Sequence, residues 1–190
     1  MSECVKVLRD ELPYNLHIFV NSVEFIAKVI DTLKLAPEAV KIVCSTSGES
    51  RQENQRKLGN AYPIGQPSDP AKKINFYTST CFEGCDIFDP DGVTFIVSDG
   101  RKAHTLLDIS TLFTQICGRI RDSRYKAQIV HVYSTTKYSK AVTLDEFVAA
   151  TQRTLADAES YAAEINSLSE ATRVKTLSKI PYINEQYVRI

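Results

Sequence analysis

Two arginines stand beside a glycine in the stretch TQICGRIRDS, Thr114 to Ser123, at the end of an apolar segment. Arginine there serves one of two chemistries. It can dress a helix C-terminus, where positive charge beside the last carbonyls contributes a few tenths to about one kcal/mol. Or it can reach a phosphate. A second set of residues has the types that hold an anionic backbone. These are Asn21-Ser22, Ser45-Thr46-Ser47-Gly48, Ser79-Thr80 followed by Glu83-Gly84-Cys85-Asp86, and Ser98-Asp99-Gly100, each directly after a short apolar run. Small hydroxyls and amides in such places donate to phosphates without reading bases. Ser, Asn and Asp are also good caps and turn formers, so one such loop decides nothing; recurrence after four runs is the signal.

Other chemistries are excluded or disfavoured. Neither G-x-x-x-x-G-K-[ST] nor G-x-G-x-x-G occurs, so the chain does not cradle a nucleoside triphosphate by itself. The three histidines (His17, His104, His131) are scattered, and His17 and His131 fall inside predicted strands as packed residues, so no nucleophile–base arrangement is legible. The closest cysteines, in CFEGC, lack a second Cys/His pair to complete a tetrahedral zinc site, and no metal site is expected. Five cysteines without framework spacing point to a reducing, cytoplasmic setting. No apolar run approaches the length of a membrane span, so no membrane is expected.

The balance of 23 basic and 23 acidic residues argues against wholesale coating of a polyanion, but it hides an asymmetry. Arg101, Lys102, Arg119, Arg121, Arg124 and Lys126 face only Asp108 and Asp122 in residues 101–126. Residues 144–170 are acidic, with Asp145, Glu146, Asp157, Glu159, Glu164 and Glu170 against Arg153.

The elements that must position these groups follow from periodicity. LHIFV (16–20), VKIVC (40–44), INFYT (74–78), VTFIV (93–97) and QIVHVY (128–133) are continuous apolar runs, as in strands buried on both faces. Between the first two, Val23, Ile26, Ala27, Ile30 and Leu33 repeat at helical spacing, with Asn21 and Glu24 placed as a capping box. Ser50 and Glu53 suggest a second box, opening a polar helix to about Leu58, and Thr105 with Asp108 a third, ahead of Leu106, Ile109, Leu112, Phe113 and Ile116. Strands alternating with helices predict an α/β fold with a mainly parallel sheet covered on both sides, its working groups at the carboxyl ends of the strands. After the polar connector STTKYSKAV, Thr143 and Glu146 open a long helix with an apolar stripe of Leu144, Phe147, Val148, Leu155, Ala158, Tyr161, Ala162, Ile165 and Leu168, which needs a cover. We therefore expect a lobe over residues 1–140 and a helical extension over 141–190, with the apolar ending TLSKIPYINEQYVRI suggesting continuation into a further domain.

Four segments in order resemble the helicase motifs of the second RecA-like lobe of superfamily 2 helicases and translocases. IFVNSVEFIAKVI (18–30) resembles motif IV, and YTSTCFEGCDIFDP (77–90) resembles motif V, with Thr78, Gly84 and Asp86 at its T-x5-G-x-D spacing. QICGRIR (115–121) resembles motif VI, and SRQENQRKL the variable segment after the second strand. The likeness covers about residues 12–135. It implies a RecA-like three-layer fold, with Asn21, Ser45 and Thr78 touching a nucleic-acid backbone. Gly84, Asp86 and Gln115 would approach ATP, and Arg119 would act as an arginine finger. An arginine finger contributes roughly 10³ to 10⁵ in rate. The common motif VI has its second arginine three residues after the first. Here Asp122 holds that place, so Arg121 or Arg124 takes the second role, and G-R-x-R is nearer the viral origin-binding, phage and mobile-element DNA helicases. Glu83, where RNA-directed DEAD-box members carry arginine, points the same way.

The resemblance thus implies the second motor lobe of an ATP-dependent DNA helicase. ATP and Mg²⁺ would be held in the intact two-lobe enzyme and neither by this chain alone. Its partners would be an N-terminal RecA-like lobe, expected in the same polypeptide, and DNA, single-stranded or at a duplex junction. The alternative is a non-catalytic α/β module, binding nucleic acid or protein, in which these motifs are degenerate.

Overall fold

The computed structural model describes residues 2–134 and 142–179. The chain divides into two compact units, residues 1–137 and 138–190. The expected boundary at 140, most of the connector after Ser134, and the tail INEQYVRI lie outside the described residues.

The first unit holds α1 (Ser2–Leu8), β1 (Asn15–Phe19), α2 (Val23–Leu33), β2 (Val40–Val43), α3 (Gly48–Leu58), β3 (Ile74–Tyr77), β4 (Gly92–Asp99), α4 (Thr114–Cys117) and β5 (Ile129–Ser134). All five strands are parallel, in the order β2-β3-β1-β4-β5. Each predicted apolar run is a strand, shifted by a residue or two at its ends, but the last, β5, is an edge strand with all six residues exposed rather than buried on both faces. The fold is α/β and RecA-like.

Alternation along the strands gives the sheet two different faces. On one, Leu16, Ile18, Ile42, Ile74, Phe76, Val93 and Phe95 meet Cys4 and Val7 of α1, Ile26, Val29 and Ile30 of α2, and Leu58 of α3 in one core. On the other, Phe19, Val43, Tyr77 and Ile96 meet Cys81, Phe82, Ile87 and Ile116, with Leu112 and Phe113 packed alongside. Along the same strands that second face also carries His17, Lys41, Asn75 and Thr94, all buried. Helices cover the first face, whereas the second is covered by the β3–β4 crossover, the loop after α3 and the segment around α4.

Three capping expectations need correction. Ser22, not Asn21, caps α2, accepting from the Phe25 amide at 3.2 Å. The Asn21 side chain instead spans two loops, donating to the His104 carbonyl (2.8 Å) and accepting from the Ser79 amide (3.4 Å). Helix α3 begins at Gly48, with Ser47 at the cap position and no side-chain cap, so Ser50 lies inside it. The third helix does not start at Thr105, whose hydroxyl is tied into the turn after β4 through the Asp99 and Lys102 carbonyls. Asp108 is the cap, accepting from the Thr111 amide at 2.7 Å, and a wide π turn over Ile109–Phe113 precedes the single turn of α4. Ile116 is fully buried, but Leu106 and Ile109, expected on the apolar side, are exposed.

The second unit contains α5 (Leu144–Ser167) and α6 (Glu170–Leu177). Its capping box is formed as expected: Thr143 Oγ1 accepts from the Glu146 amide, and Glu146 Oε2 accepts from the Thr143 amide at 2.8 Å. Arg173 donates from Nη1 to the Asn166 and Leu168 carbonyls, placing a cation where α5 ends. Ala162 and Ile165 of the predicted stripe are buried, whereas Leu144, Phe147, Val148, Leu155 and Tyr161 are exposed.

Candidate phosphate-facing site

The segment after β3 carries most of the site. It leaves the carboxyl end of β3 on one side of β1 and must begin β4 on the other, so it runs back across the second face of the sheet. There Ile87 forms a parallel bridge with Ile120: its amide donates to the Arg119 carbonyl (2.9 Å), and its carbonyl accepts from the Arg121 amide (3.0 Å). This bridge sets the two motif segments side by side. Gly84 turns the chain with φ +71°, a left-handed value that costs an L residue about 1–2 kcal/mol.

Arg119 is held on three sides. Its Nε donates to the Gln115 carbonyl (2.9 Å), Nη1 to the Cys85 carbonyl (3.0 Å) and Nη2 to Gln115 Oε1 (2.9 Å), and the residue is 8% exposed. Of the two opening chemistries, the structure shows the helix-end one in this residue. One nitrogen bonds a carbonyl of α4, as a cation at a helix end does, while the other two lock Gln115 and the Gly84–Asp86 turn into one assembly. Arg121 stands outside the lock. It donates from Nε to Asp86 Oδ1 at 2.8 Å, and both side chains are close to half exposed. Arg124 is elsewhere, paired with Asp91. The five residues predicted to face ATP (Gly84, Asp86, Gln115, Arg119 and Arg121) are therefore brought together, and Arg124 is not among them.

The residues predicted to touch a nucleic-acid backbone lie at the carboxyl ends of three adjacent strands: Ser45 after β2, Thr78 after β3 and Asn21 after β1. Ser45 and Ser47 hydroxyls are 3.0 Å apart. Thr78 is buried, its amide donating to the Val43 carbonyl (3.0 Å) and its hydroxyl 3.3 Å from that of Thr80. Asn21 binds the Ser79 amide, so it and Thr78 flank one short turn.

Beneath this edge lies a buried polar chain that sequence reasoning missed. His17 Nδ1 is 3.1 Å from the Tyr77 hydroxyl and His17 Nε2 is 2.8 Å from Asp89 Oδ2, which also accepts from Asn15 Nδ2 (3.0 Å). Burial alone would raise the Asp89 carboxyl, but hydrogen bonds from His17, Asn15 and the Asp91 amide together hold it below the ordinary range. Desolvation pushes the Tyr77 hydroxyl well above its ordinary value, so it stays protonated. Gly92 must be glycine because a Cβ there would lie 2.9 Å from His17 Nε2. Lys41 is also buried, donating to the Pro67 carbonyl (2.9 Å) and the Asp69 carbonyl, with its pKa lowered by desolvation. The available signal was parity: His17, Lys41 and Tyr77 fall at the positions facing the motif segments. His131, predicted to be packed, is exposed.

Among the described residues no group of three or more His, Cys, Asp or Glu side chains could hold a metal ion, and no helix is long and apolar enough to cross a membrane. Compared with protein-family models, curated proteins and solved structures, the chain matches none.

Proposed function

We propose that this chain is the second motor lobe of an ATP-dependent DNA helicase or translocase, working in the cytoplasm with a P-loop lobe of the same polypeptide. The observation that carries the reading is the assembly of Gly84, Asp86, Gln115, Arg119 and Arg121 through the Ile87–Ile120 bridge. Two separate sequence segments supply it, and their convergence presents a half-exposed arginine beside a carboxylate and an open turn. The donor set suits a nucleotide. Arg121 can trade Asp86 for phosphate oxygens, which leaves Asp86 able to accept from ribose hydroxyls. ATP with Mg²⁺ would supply the transferable phosphoryl group, and the metal would be held by the other lobe.

In this reading Arg119 supports charge developing on the γ-phosphate. Its three internal hydrogen bonds fix its approach before ATP arrives and set Gln115 with it. Asn21, Ser45 and Thr78 hold a DNA backbone along the carboxyl edge of the sheet. Because Thr78 and Asp86 sit on one crossover, movement at the nucleotide passes to the strand contact through a short covalent path.

The enclosure of Arg119 also favours a second reading. A guanidinium with Nε, Nη1 and Nη2 all committed is a sound structural staple, as expected of a non-catalytic module with degenerate motifs. ATP turnover of the polypeptide joining this chain to a P-loop lobe, with and without single-stranded DNA, separates the two. The motor reading expects turnover stimulated by DNA; turnover absent under both conditions overturns it.

A further inference from the structure

We propose that the carboxyl end of β5 carries a stacking platform for unpaired bases, formed by His131 and Tyr133 and backed by Phe113. This inference rests on the nucleic-acid reading of the sheet edge and extends it from phosphate contacts to base contacts. His131 and Tyr133 point to one side of β5, with ring centroids 5.1 Å apart. Phe113, partly buried, meets the His131 ring edge-on at 5.2 Å and supports it from behind. Tyr133 is 64% exposed, more than Ile129, Val130 or Val132 on the same edge strand, whose six residues are all exposed.

Register places this row at the working edge. Ser98 pairs with Tyr133 and Ile96 with His131, while Phe19 of β1 pairs with the same Ile96. Asn21, two residues beyond Phe19, therefore stands at about the level of Tyr133. The backbone-contact candidates after β2, β3 and β1 and the aromatic row on β5 together span the sheet. At about 4.8 Å between strands, the four intervals from β2 to β5 cover roughly 19 Å, enough for a few nucleotides of extended single strand.

The surroundings suit a base rather than a protein side chain. Ser98 Oγ lies 3.1 Å from His131 Nε2 and orients the ring. Asp99 is consumed internally, accepting from the Ser134 hydroxyl (2.7 Å) and the Arg101 amide (3.0 Å), so it ties the β4 turn to β5. That turn presents Arg101, exposed, whereas Lys102 pairs with Glu24 of α2 at 3.3 Å, toward the sheet's other face. A cation at the strand end that carries exposed aromatic faces suits a single strand: the cation meets the phosphates and the rings meet any base.

The test uses the full 190-residue chain and two fluorescein-labelled probes, an oligodeoxythymidine and a matched strand of abasic sites with the same phosphates. The wild type is expected to bind the thymidine strand about tenfold tighter than the abasic one. Tyr133→Ala should erase that difference without weakening abasic binding, Tyr133→Phe should keep it, and Arg101→Ala should weaken both strands alike. A thymidine strand carrying a photoreactive halouracil should cross-link to His131 or Tyr133. Equal binding of both strands by the wild type, with Thr78→Ala weakening both, overturns the platform and leaves the motor-lobe reading standing. Binding of neither strand overturns both. Concentration-dependent self-association abolished by Tyr133→Ala overturns the platform by giving the face to a second copy.

Discussion

One face of the sheet is an apolar core closed by three helices, and the other, made by the same strands, buries His17, Lys41, Asn75 and Thr94 among its apolar residues and is covered mostly by loops. Apolar packing tolerates exchange because it is non-directional. Polar packing is specific, since each buried donor needs its acceptor. The difference teaches where this fold places precision: the motif segments lie on the face whose contacts cannot slide, with Asp89, Gly92 and the Ile87–Ile120 bridge fixing the crossover.

The contrast can be broken from either side. Phe76→Ala, on the apolar face, opens a large cavity and should cost about 4 kcal/mol in urea unfolding, while leaving the Arg121–Asp86 pair in place. Asp89→Ala, on the polar face, strands the His17 and Asn15 donors and should cost about 3 kcal/mol. It should also change the pH dependence. The Asp89 carboxyl titrates below its unfolded value, so its contribution is full above the ordinary carboxylate range and is lost as pH falls through the folded value. Asp89→Asn should therefore flatten the acid limb of stability measured against pH; an unchanged acid limb would contradict this account of Asp89.

Smaller effects sharpen the comparison. Gly84→Ala forces an L residue to φ +71° and should cost about 1–2 kcal/mol, with no clash because nothing lies within 4 Å of the added methyl. Arg121→Ala removes only a half-exposed ion pair and should change stability by less than about 1 kcal/mol. A larger loss would mean that Arg121 is structural and not held ready for a ligand.

Much of this architecture could be read from the chain in advance. Four of the five apolar runs became β1–β4 because burial on both faces leaves a continuous apolar signal, whereas the fifth became β5 with all six residues exposed, and Thr143 with Glu146 formed the box their spacing predicts. The failures have physical causes. Asn21 and Ser22 are both competent caps, and only the approach of His104 and Ser79 decides that Asn21 is used elsewhere. Thr105 was misread because its hydroxyl serves the turn behind it. The His17–Asp89 contact joins residues 72 apart in sequence, and local pattern carries no trace of it beyond the parity of His17. The neighbours of Arg119 were legible as motifs, but its bond to the Cys85 carbonyl was not, because a backbone acceptor leaves no mark on residue identity.

The central claim is that the locked guanidinium of Arg119 serves a phosphate as well as the fold. The most direct measurement is ATP turnover by the two-lobe polypeptide carrying Arg119→Ala, with unfolding of the same variant followed in parallel. The account predicts a fall of at least about 10² in kcat with the variant still folded at the assay temperature. Unchanged turnover in a folded variant would contradict it and leave Arg119 as a staple between two loops.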